Sequence, residues 1–208
     1  PSSSGKTKAL CEVAENTGLI RAIDHLVLRK AIDAMKHRSP EPDTLFSINL
    51  SAHAFNDPDL LPLLNHLLRE AGLEPSRLVF EMTETAALAN LTASRTLMAS
   101  IKKLGCRFAL DDFGVGFSSF HYIKELPFDY LKIDGSFIRS LANNRDDQIL
   151  VKAVCDVARA FGKRTVAEFV EDREAFAMLQ SFNVDLAQGY YVGEPSAGFE
   201  PRTMARAH

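Results

Sequence analysis

The sequence has few of the features that indicate a secreted, membrane-spanning or polyanion-binding protein. Its three cysteines, Cys11, Cys106 and Cys155, lie far apart and form no C-x-x-C pair, which argues against a disulfide framework and a structural zinc site. No apolar run has the length of a membrane span, and no signal peptide is visible. We therefore expect a reducing, cytoplasmic setting, or the cytoplasmic part of a larger membrane-tethered protein.

An excess of one charge is also missing. The chain has 24 Lys and Arg residues against 27 Asp and Glu residues, for a net charge of −3, so no broad surface for a nucleic-acid polymer is expected. What is present is apolar: 46% of the 208 residues are hydrophobic. That is enough for one buried core, in a single domain or in most of a larger α/β domain.

The chain is organised around residues 107–120, RFALDDFGVGFSSF. Three apolar residues lead straight into two adjacent carboxylates, Asp111 and Asp112, and two glycines then open a turn. A short apolar run bounded by glycines predicts a buried strand. Neighbouring anions at its end repel each other and resist desolvation, so we interpret the pair as the centre of a divalent metal site. The alternative is a solvated pair that caps the next helix.

Strand-like and helix-like segments alternate along the rest of the chain. Helices are predicted at residues 9–16, 19–36, 86–104 and 118–124, and on apolar stripes that end near Gly72, Gly162 and Phe182. Strands are predicted at residues 45–50, 77–82, 108–112, 130–134, 165–170 and 184–188. The alternation predicts a parallel sheet covered by helices, either a (β/α) barrel or a doubly wound sheet.

A polar residue stands near the C-terminal end of every predicted strand. These residues are Asn49, Glu81, Asp111, Lys132, Glu168 and Gln188. An open sheet takes its ligands from one or two strands at a switch point, whereas a barrel collects residues from many strand ends onto one face. Six contributing strands favour the barrel. A barrel needs eight, and we expect the other two before Pro1, because an unclosed barrel would expose strand edges.

The residues at these strand ends suit hard divalent cations such as Mg²⁺ or Mn²⁺, which bind carboxylate and amide oxygens. The donors are Asn49, Glu81, Asp111, Asp112 and Glu168. No histidine is among them, which disfavours zinc. Two ions could bridge an attacking hydroxide and a phosphodiester oxygen, while Lys132 could orient the water or stabilise developing charge.

Each of these residues also has an ordinary structural interpretation. Asn49 could cap a helix, Lys132 could be a surface lysine, and Gln188-Gly189 could be a turn. Glu81 and Glu84 could form a capping arrangement around Thr83, and Glu168 and Glu171 could lie on a solvated helix start. Singly, the ordinary interpretation is favoured; together a site is favoured, because all six lie at the same end of their strands.

The sequence resembles the EAL domain family, the cyclic-di-GMP phosphodiesterases, in six motifs that occur in the family's order. They are Asn49-Leu-Ser51, Glu81-Met-Thr-Glu84, Asp111-Asp-Phe-Gly-Val-Gly-Phe-Ser-Ser119, Lys132-Ile-Asp134, Ala167-Glu-Phe-Val-Glu171 and Gln188-Gly189. The resemblance covers nearly the whole chain. It implies one N-terminally incomplete EAL domain over residues 1–208, with the fold of a modified TIM-type (β/α)8 barrel, of class α/β, in which one strand is antiparallel.

The resemblance also implies a reaction, the hydrolysis of cyclic di-GMP to linear pGpG with two Mg²⁺ or Mn²⁺ ions. Asn49, Glu81 and Asp111 would hold the first ion, with Asp111 shared, and Asp112 and Glu168 would serve the second. Lys132 would position the attacking water. Glu84 would brace the loop after Asp112, which in this family couples the metal site to the dimer surface. Glu171 and Gln188 would support the site and the substrate.

The family pattern further implies a homodimer and fusion to upstream sensory or GGDEF-type modules. We look for the partner contact on the helix after Gly116, at Phe117, Phe120 and Tyr122, with ordinary core packing as the alternative. The motif that names the family, with a metal-binding glutamate and a phosphate-binding arginine, is absent and would lie before Pro1.

Two further departures are Val115, where threonine is common, and Phe169, where many members have glycine. Three functions are weighed. The first is an active phosphodiesterase. The second is a catalytically silent cyclic-di-GMP receptor that signals to a protein partner. The third, unrelated lyase or aldolase chemistry on a barrel, conflicts with the six ordered motifs.

Overall fold

The computed structural model of the protein describes residues 14, 18–37, 44–115 and 121–194. The strands are β1 (Phe46–Asn49), β2 (Leu78–Thr83), β3 (Arg107–Phe113), β4 (Tyr130–Ile133), β5 (Arg164–Ala167) and β6 (Leu186–Ala187). The helices are α1 (Ile20–His37), α2 (Leu60–Ala71), α3 (Glu84–Ala89), α4 (Leu91–Lys103), α5 (His121–Glu125), α6 (Gly135–Ile138), α7 (Arg145–Ala160) and α8 (Arg173–Ser181). Within these ranges no helix is both long enough and apolar enough to cross a membrane.

The six strands pair in parallel, and their order across the sheet is their order along the chain. A doubly wound sheet reverses its strand order at a switch point, and the described strands have no such reversal. The sheet is a curled half-barrel with helices around it, so the barrel prediction is confirmed. The antiparallel strand that the resemblance implies is not among the six described strands.

Apolar residues cover both faces of the sheet. Between the sheet and the helices lies the larger core, to which β2 contributes Leu78, Phe80 and Met82. A smaller core lies on the opposite, concave face. Its members are Val79, Ala109, Tyr130, Val166 and Leu186. Strands buried on both faces are typical of parallel sheets.

The prediction of one continuous helix over residues 86–104 is wrong, because two helices, α3 and α4, occupy this segment. Thr83 caps α3 through the Ala86 amide. Asn90 then leaves the helical region, at φ −146° and ψ 79°, and its side chain accepts from the Ala93 amide to begin α4. Asparagine favours such a cap over a helix interior, since its side chain competes for backbone groups.

Other boundaries differ less. β5 ends at Ala167 instead of residue 170, because Phe169 has a left-handed backbone with φ +53°. The short helix α6 was not predicted; Asp134 caps it through the Ser136 amide. Of the predicted helix at residues 9–16 only Ala14 is described, and it is helical; residues 118–120 lie outside the described ranges.

Candidate metal centre

Each residue of the inner core is followed two positions later by a polar residue. Side chains alternate between the faces of a strand, so residues i and i+2 share a face. The pairs are Val79 and Glu81, Ala109 and Asp111, Tyr130 and Lys132, Val166 and Glu168, and Leu186 and Gln188, with Ser47 and Asn49 in the same register on β1. The polar side chains therefore form a layer directly above the apolar interior, at the carboxyl ends of the strands.

Lys132 lies at the centre of this layer. Its Nζ is 2.9 Å from Glu81 Oε2, 2.9 Å from Asp111 Oδ1 and 2.8 Å from Glu168 Oε1. All four residues are buried, and Lys132 is only 5% exposed. Three strands thus place their carboxylates around one ammonium group, which excludes a surface lysine and a solvated Glu168.

The two adjacent aspartates reach the same side of the sheet because of a bulge. In a regular strand Asp111 and Asp112 would point to opposite faces. Here Leu110 pairs with Leu131 and Phe113 with Ile133, so β3 has one residue more than β4 over this interval. Asp112 has a φ of +54°, and one carboxylate oxygen each of Asp111, Asp112 and Glu168 lies within 4.8 Å of the others. Bulges commonly redirect a side chain next to a functional site.

Burial and charge shift the pKa values of two of these groups. Burial raises the pKa of Glu168 to about 7, with Asp111 and Asp112 adding to the rise and Lys132 opposing it. Burial works to lower the pKa of Lys132, but Glu81, Asp111 and Glu168 outweigh it, so that pKa lies above its ordinary value. Lys132 is therefore an ammonium ion at neutral pH.

The donor set fits a hard divalent cation. It consists of carboxylate oxygens gathered within one ion's reach, and the described residues bring no histidine or cysteine into the cluster. One ammonium group faces four carboxylates, so negative charge remains in excess when all are ionised. Coordination of a divalent cation would reduce that excess, which Lys132 only partly compensates.

Asn49, Glu171 and Gln188 border the cluster without a described bond to it. Asn49 is exposed and pairs in register with Glu81 on the neighbouring strand. Glu171 and Gln188 are exposed as well, and with Glu168 they line a cavity of about 290 Å³. The structure thus brings these three to the same rim, Asn49 beside Glu81 and the other two beside Glu168.

Gly189 explains how Gln188 is held. It has a φ of +153°, and a Cβ there would lie 2.3 Å from both the amide nitrogen and the carbonyl oxygen of Val170. This close approach lets the Val170 amide donate to the Gln188 carbonyl at 3.0 Å. The glycine is therefore required by a backbone contact between the β5 and β6 ends, and the motif is more than an exposed turn.

Glu84 is buried and contacts the segment that follows the aspartates. Its Oε2 accepts from the Gly114 amide at 3.0 Å, and its Oε1 accepts from the Tyr122 hydroxyl. Tyr122 itself packs in the protein's own core, with its ring 6.4 Å from that of Phe113. Of the three residues considered for a partner contact, Tyr122 is thus a core residue, and Phe117 and Phe120 lie outside the described ranges.

Comparison with known proteins places this geometry in a family. The EAL domain model matches residues 4–195 of the chain. The chain belongs to the EAL domain family. It is 39% identical over 201 residues to the cyclic di-GMP phosphodiesterase PdeB of Shewanella oneidensis, covering 93% of this chain and 24% of the relative. It is 36% identical over 184 residues to the cyclic di-GMP phosphodiesterase PdeF of Escherichia coli, covering 88% of this chain and 25% of the relative.

Solved EAL structures agree with the fold. The c-di-GMP complex of PaMucR phosphodiesterase matches with a TM-score of 0.84 and 34% identity, over 90% of this chain and 77% of the other. The FimX EAL domain from Pseudomonas aeruginosa bound to c-di-GMP matches with a TM-score of 0.85 and 30% identity, over 91% and 76%. The chain spans about a quarter of the length of the curated relatives it matches.

Sequence reasoning on this EAL domain missed Gly135, Arg139 and Tyr122 near the site. Tyr122 was considered for a partner surface or for ordinary core packing, and its hydroxyl bond to Glu84 was not predicted. Gly135 follows the Lys132-Ile-Asp134 motif by one position and contacts Phe169, and Arg139 lies one helical turn later. The glycine after Asp134 was the available signal, since a glycine opening a helix suggests a close approach.

Proposed function

We propose that this EAL domain hydrolyses cyclic di-GMP to linear pGpG in a divalent-metal-dependent phosphodiesterase reaction. The observation that carries the proposal is the cluster of Asp111, Asp112 and Glu168, whose oxygens lie within 4.8 Å of one another beside Lys132. The names of the relatives PdeB and PdeF support the substrate and the reaction class. The bound c-di-GMP in the PaMucR and FimX structures supports the same ligand.

The proposed ligands of two Mg²⁺ or Mn²⁺ ions are side chains at the ends of four strands, β1, β2, β3 and β5. Asn49, Glu81 and Asp111 would hold one ion, and Asp112 and Glu168 would hold the other. Metal ions in such a site supply Lewis-acid activation of water and neutralise phosphodiester charge. Asp112 owes its availability to the bulge, which turns its carboxylate toward Asp111 and Glu168.

Lys132 acts in this proposal as a fixed positive charge and hydrogen-bond donor. Since its pKa is raised, it cannot serve as a general base at neutral pH. Its ammonium group can orient a water molecule and stabilise charge that develops on a phosphoryl oxygen. Its three carboxylate contacts, each at 2.8–2.9 Å, hold the group in place before substrate binds.

The proposed hydrolysis consumes cyclic di-GMP and one water molecule and needs no other reactant. One water molecule attacks phosphorus, one bridging P–O bond to a ribose 3′-oxygen breaks, and a proton from the water ends on the leaving oxygen. The product is a linear dinucleotide with a terminal phosphate. Glu171 and Gln188, which line the cavity next to Glu168, are the proposed contacts to the substrate and the site.

A second candidate, a silent cyclic-di-GMP receptor that signals to a protein partner, is favoured by one observation. Lys132 already contacts three carboxylates, so the site is partly neutralised by the chain itself. A ligand could then bind without turnover. A homodimer, fusion to sensory or GGDEF-type modules and a cytoplasmic location belong to the same proposal for the longer protein.

One experiment separates the two candidates. The full-length protein is incubated with cyclic di-GMP and Mg²⁺ or Mn²⁺, and linear product is measured by chromatography beside ligand binding by calorimetry. Metal-dependent product supports the phosphodiesterase. Binding without product, in the wild type and in Glu81→Ala alike, contradicts it and supports the receptor. Asp156→Ala, on the exposed face of α7, is the matched carboxylate control.

A further inference from the structure

Phe169 has an unusual backbone for its size. It follows Glu168 directly, with a φ of +53°, and the residue is 46% exposed. A bulky residue in the left-handed region is disfavoured and persists only where its surroundings hold it. Glycine would adopt this conformation without strain, so the presence of phenylalanine at this position requires an explanation from the contacts of its ring.

The ring is held by two residues that follow β4. An ideal Cβ on Gly135 would lie 2.2 Å from Phe169 Cδ2 and 2.7 Å from Cγ, so the ring occupies the space that any side chain at 135 would need. The Arg139 guanidinium carbon lies 4.1 Å from the ring centroid, within cation–π distance. Phe169 and Gly135 therefore fit each other, and the pair joins the end of β5 to the end of β4.

The same two strand ends carry the closest ion pair of the site. Lys132 lies three residues before Gly135, and Glu168 lies one residue before Phe169. The Glu168 amide also donates to the Ile133 carbonyl at 3.3 Å. A displacement of the Phe169 backbone would therefore move Glu168 relative to Lys132, whose charged atoms are 2.8 Å apart.

We propose that Phe169 is a positioning residue: its ring, packed on Gly135 and Arg139, sets the direction in which Glu168 points into the cation site. The inference rests on the proposed function, because it assumes that Glu168 is a ligand of a divalent cation. Outer residues that orient a metal ligand typically change metal affinity about 10–100-fold when they are removed.

The test measures Mn²⁺ affinity by calorimetry, with Mn²⁺ alone as the probe, and the melting temperature of the metal-free protein. Phe169→Gly is expected to weaken Mn²⁺ binding about 10-fold, because the ring contacts are lost while the backbone conformation stays accessible. Phe169→Tyr keeps the ring, so its Mn²⁺ affinity is expected to stay within about 2-fold of the wild-type value. That change is smaller than the one expected when an orienting residue is lost.

A second pair of variants separates positioning from stability. Gly135→Ala is expected to lower both the melting temperature and Mn²⁺ affinity, because its methyl group and the ring compete for one space. Gly135→Ala with Phe169→Gly removes that conflict, so the melting temperature recovers while Mn²⁺ binding stays weak. Phe161→Gly is the matched control, since this phenylalanine is 44% exposed and precedes β5.

The outcomes keep the two proposals apart. If the wild type binds no Mn²⁺, the proposed metal site is wrong. If the wild type binds Mn²⁺ and Phe169→Gly binds it equally well, the metal site stands and the positioning role is overturned. Recovery of wild-type Mn²⁺ affinity in the double variant would overturn it too, since the ring is absent there.

Discussion

The Nζ of Lys132 lies 2.8 Å from Oε1 of Glu168, although the two residues belong to different strand ends and both are buried. Removal of one partner of a buried ion pair leaves the other uncompensated. Lys132→Met should therefore lower the free energy of unfolding of the metal-free protein by about 3 kcal/mol. Mn²⁺ should restore more stability in this variant than in wild type, because the cation takes over the missing positive charge.

Urea unfolding with and without Mn²⁺ measures both effects. Lys152→Met is the control, since Lys152 pairs with Asp156 on the surface, where such pairs contribute little. Equal stabilisation of wild type and Lys132→Met by Mn²⁺ would show that the ion binds elsewhere.

The pKa of Glu168 predicts a pH dependence of stability for the metal-free protein. Its ordinary pKa of 4.5 is raised to about 7 in the folded state, chiefly by burial. Between these values the folded protein binds more protons than the unfolded chain, so the free energy of unfolding falls as pH rises through this window. We expect the fall to be on the order of 2 kcal/mol, and Glu168→Gln to abolish it.

Unfolding of wild type and variant at pH 5 and pH 8, in a chelating buffer, makes the comparison. Glu171→Gln, three residues further at an exposed position of the same rim, should retain the wild-type dependence. A constant difference between wild type and Glu168→Gln at both pH values would contradict the assignment.

Gly189→Ala should destabilise the protein by about 2–4 kcal/mol, because the new methyl group would meet the Val170 backbone 2.3 Å away. Gly162→Ala is a matched substitution at another left-handed glycine, with φ +67° and no atom within 4 Å of the new Cβ. It should cost only about 1 kcal/mol. Thermal unfolding of the two variants tests this ranking, which a reversed order would refute.

Glu84→Ala should loosen the backbone after the two aspartates. Its carboxylate accepts from the Gly114 amide, so the loss of the acceptor should speed hydrogen exchange at that amide and cost about 1–3 kcal/mol. Tyr122→Phe removes only the hydroxyl bond to the other carboxylate oxygen. The Gly114 amide should stay protected in that variant, and equal exchange in both variants would argue against a direct role of Glu84.

The rim of polar residues could be predicted from the sequence because it depends only on where the strands end. Every strand contributes one residue in the same register, such as Glu81 two positions after Val79, and parallel strands bring those ends together. The alternation of strands and helices left a barrel and a doubly wound sheet open, and the polar residue at each of the six strand ends favoured the barrel, whose sequential strand order the structure has.

Features that depend on contacts between distant segments could not be predicted. The bulge that turns Asp112 beside Asp111 is defined by pairing with β4. The contact between Glu84 and Tyr122 joins residues 38 positions apart. The end of β5 was placed too late, because nothing local to Phe169 reveals that Gly135 leaves room for its ring.

The bulge in β3 means that one residue, Asp112, serves the proposed cation site without being needed for strand pairing. Asp112 is the residue by which β3 exceeds its neighbour, since Leu110 and Phe113 pair with Leu131 and Ile133. Its deletion would give evenly matched strands, with Asp111 opposite Lys132 and every apolar side chain on its present face. A deletion of this one residue would therefore remove one aspartate of the proposed cation site and leave the pairing of β3 with β4 intact.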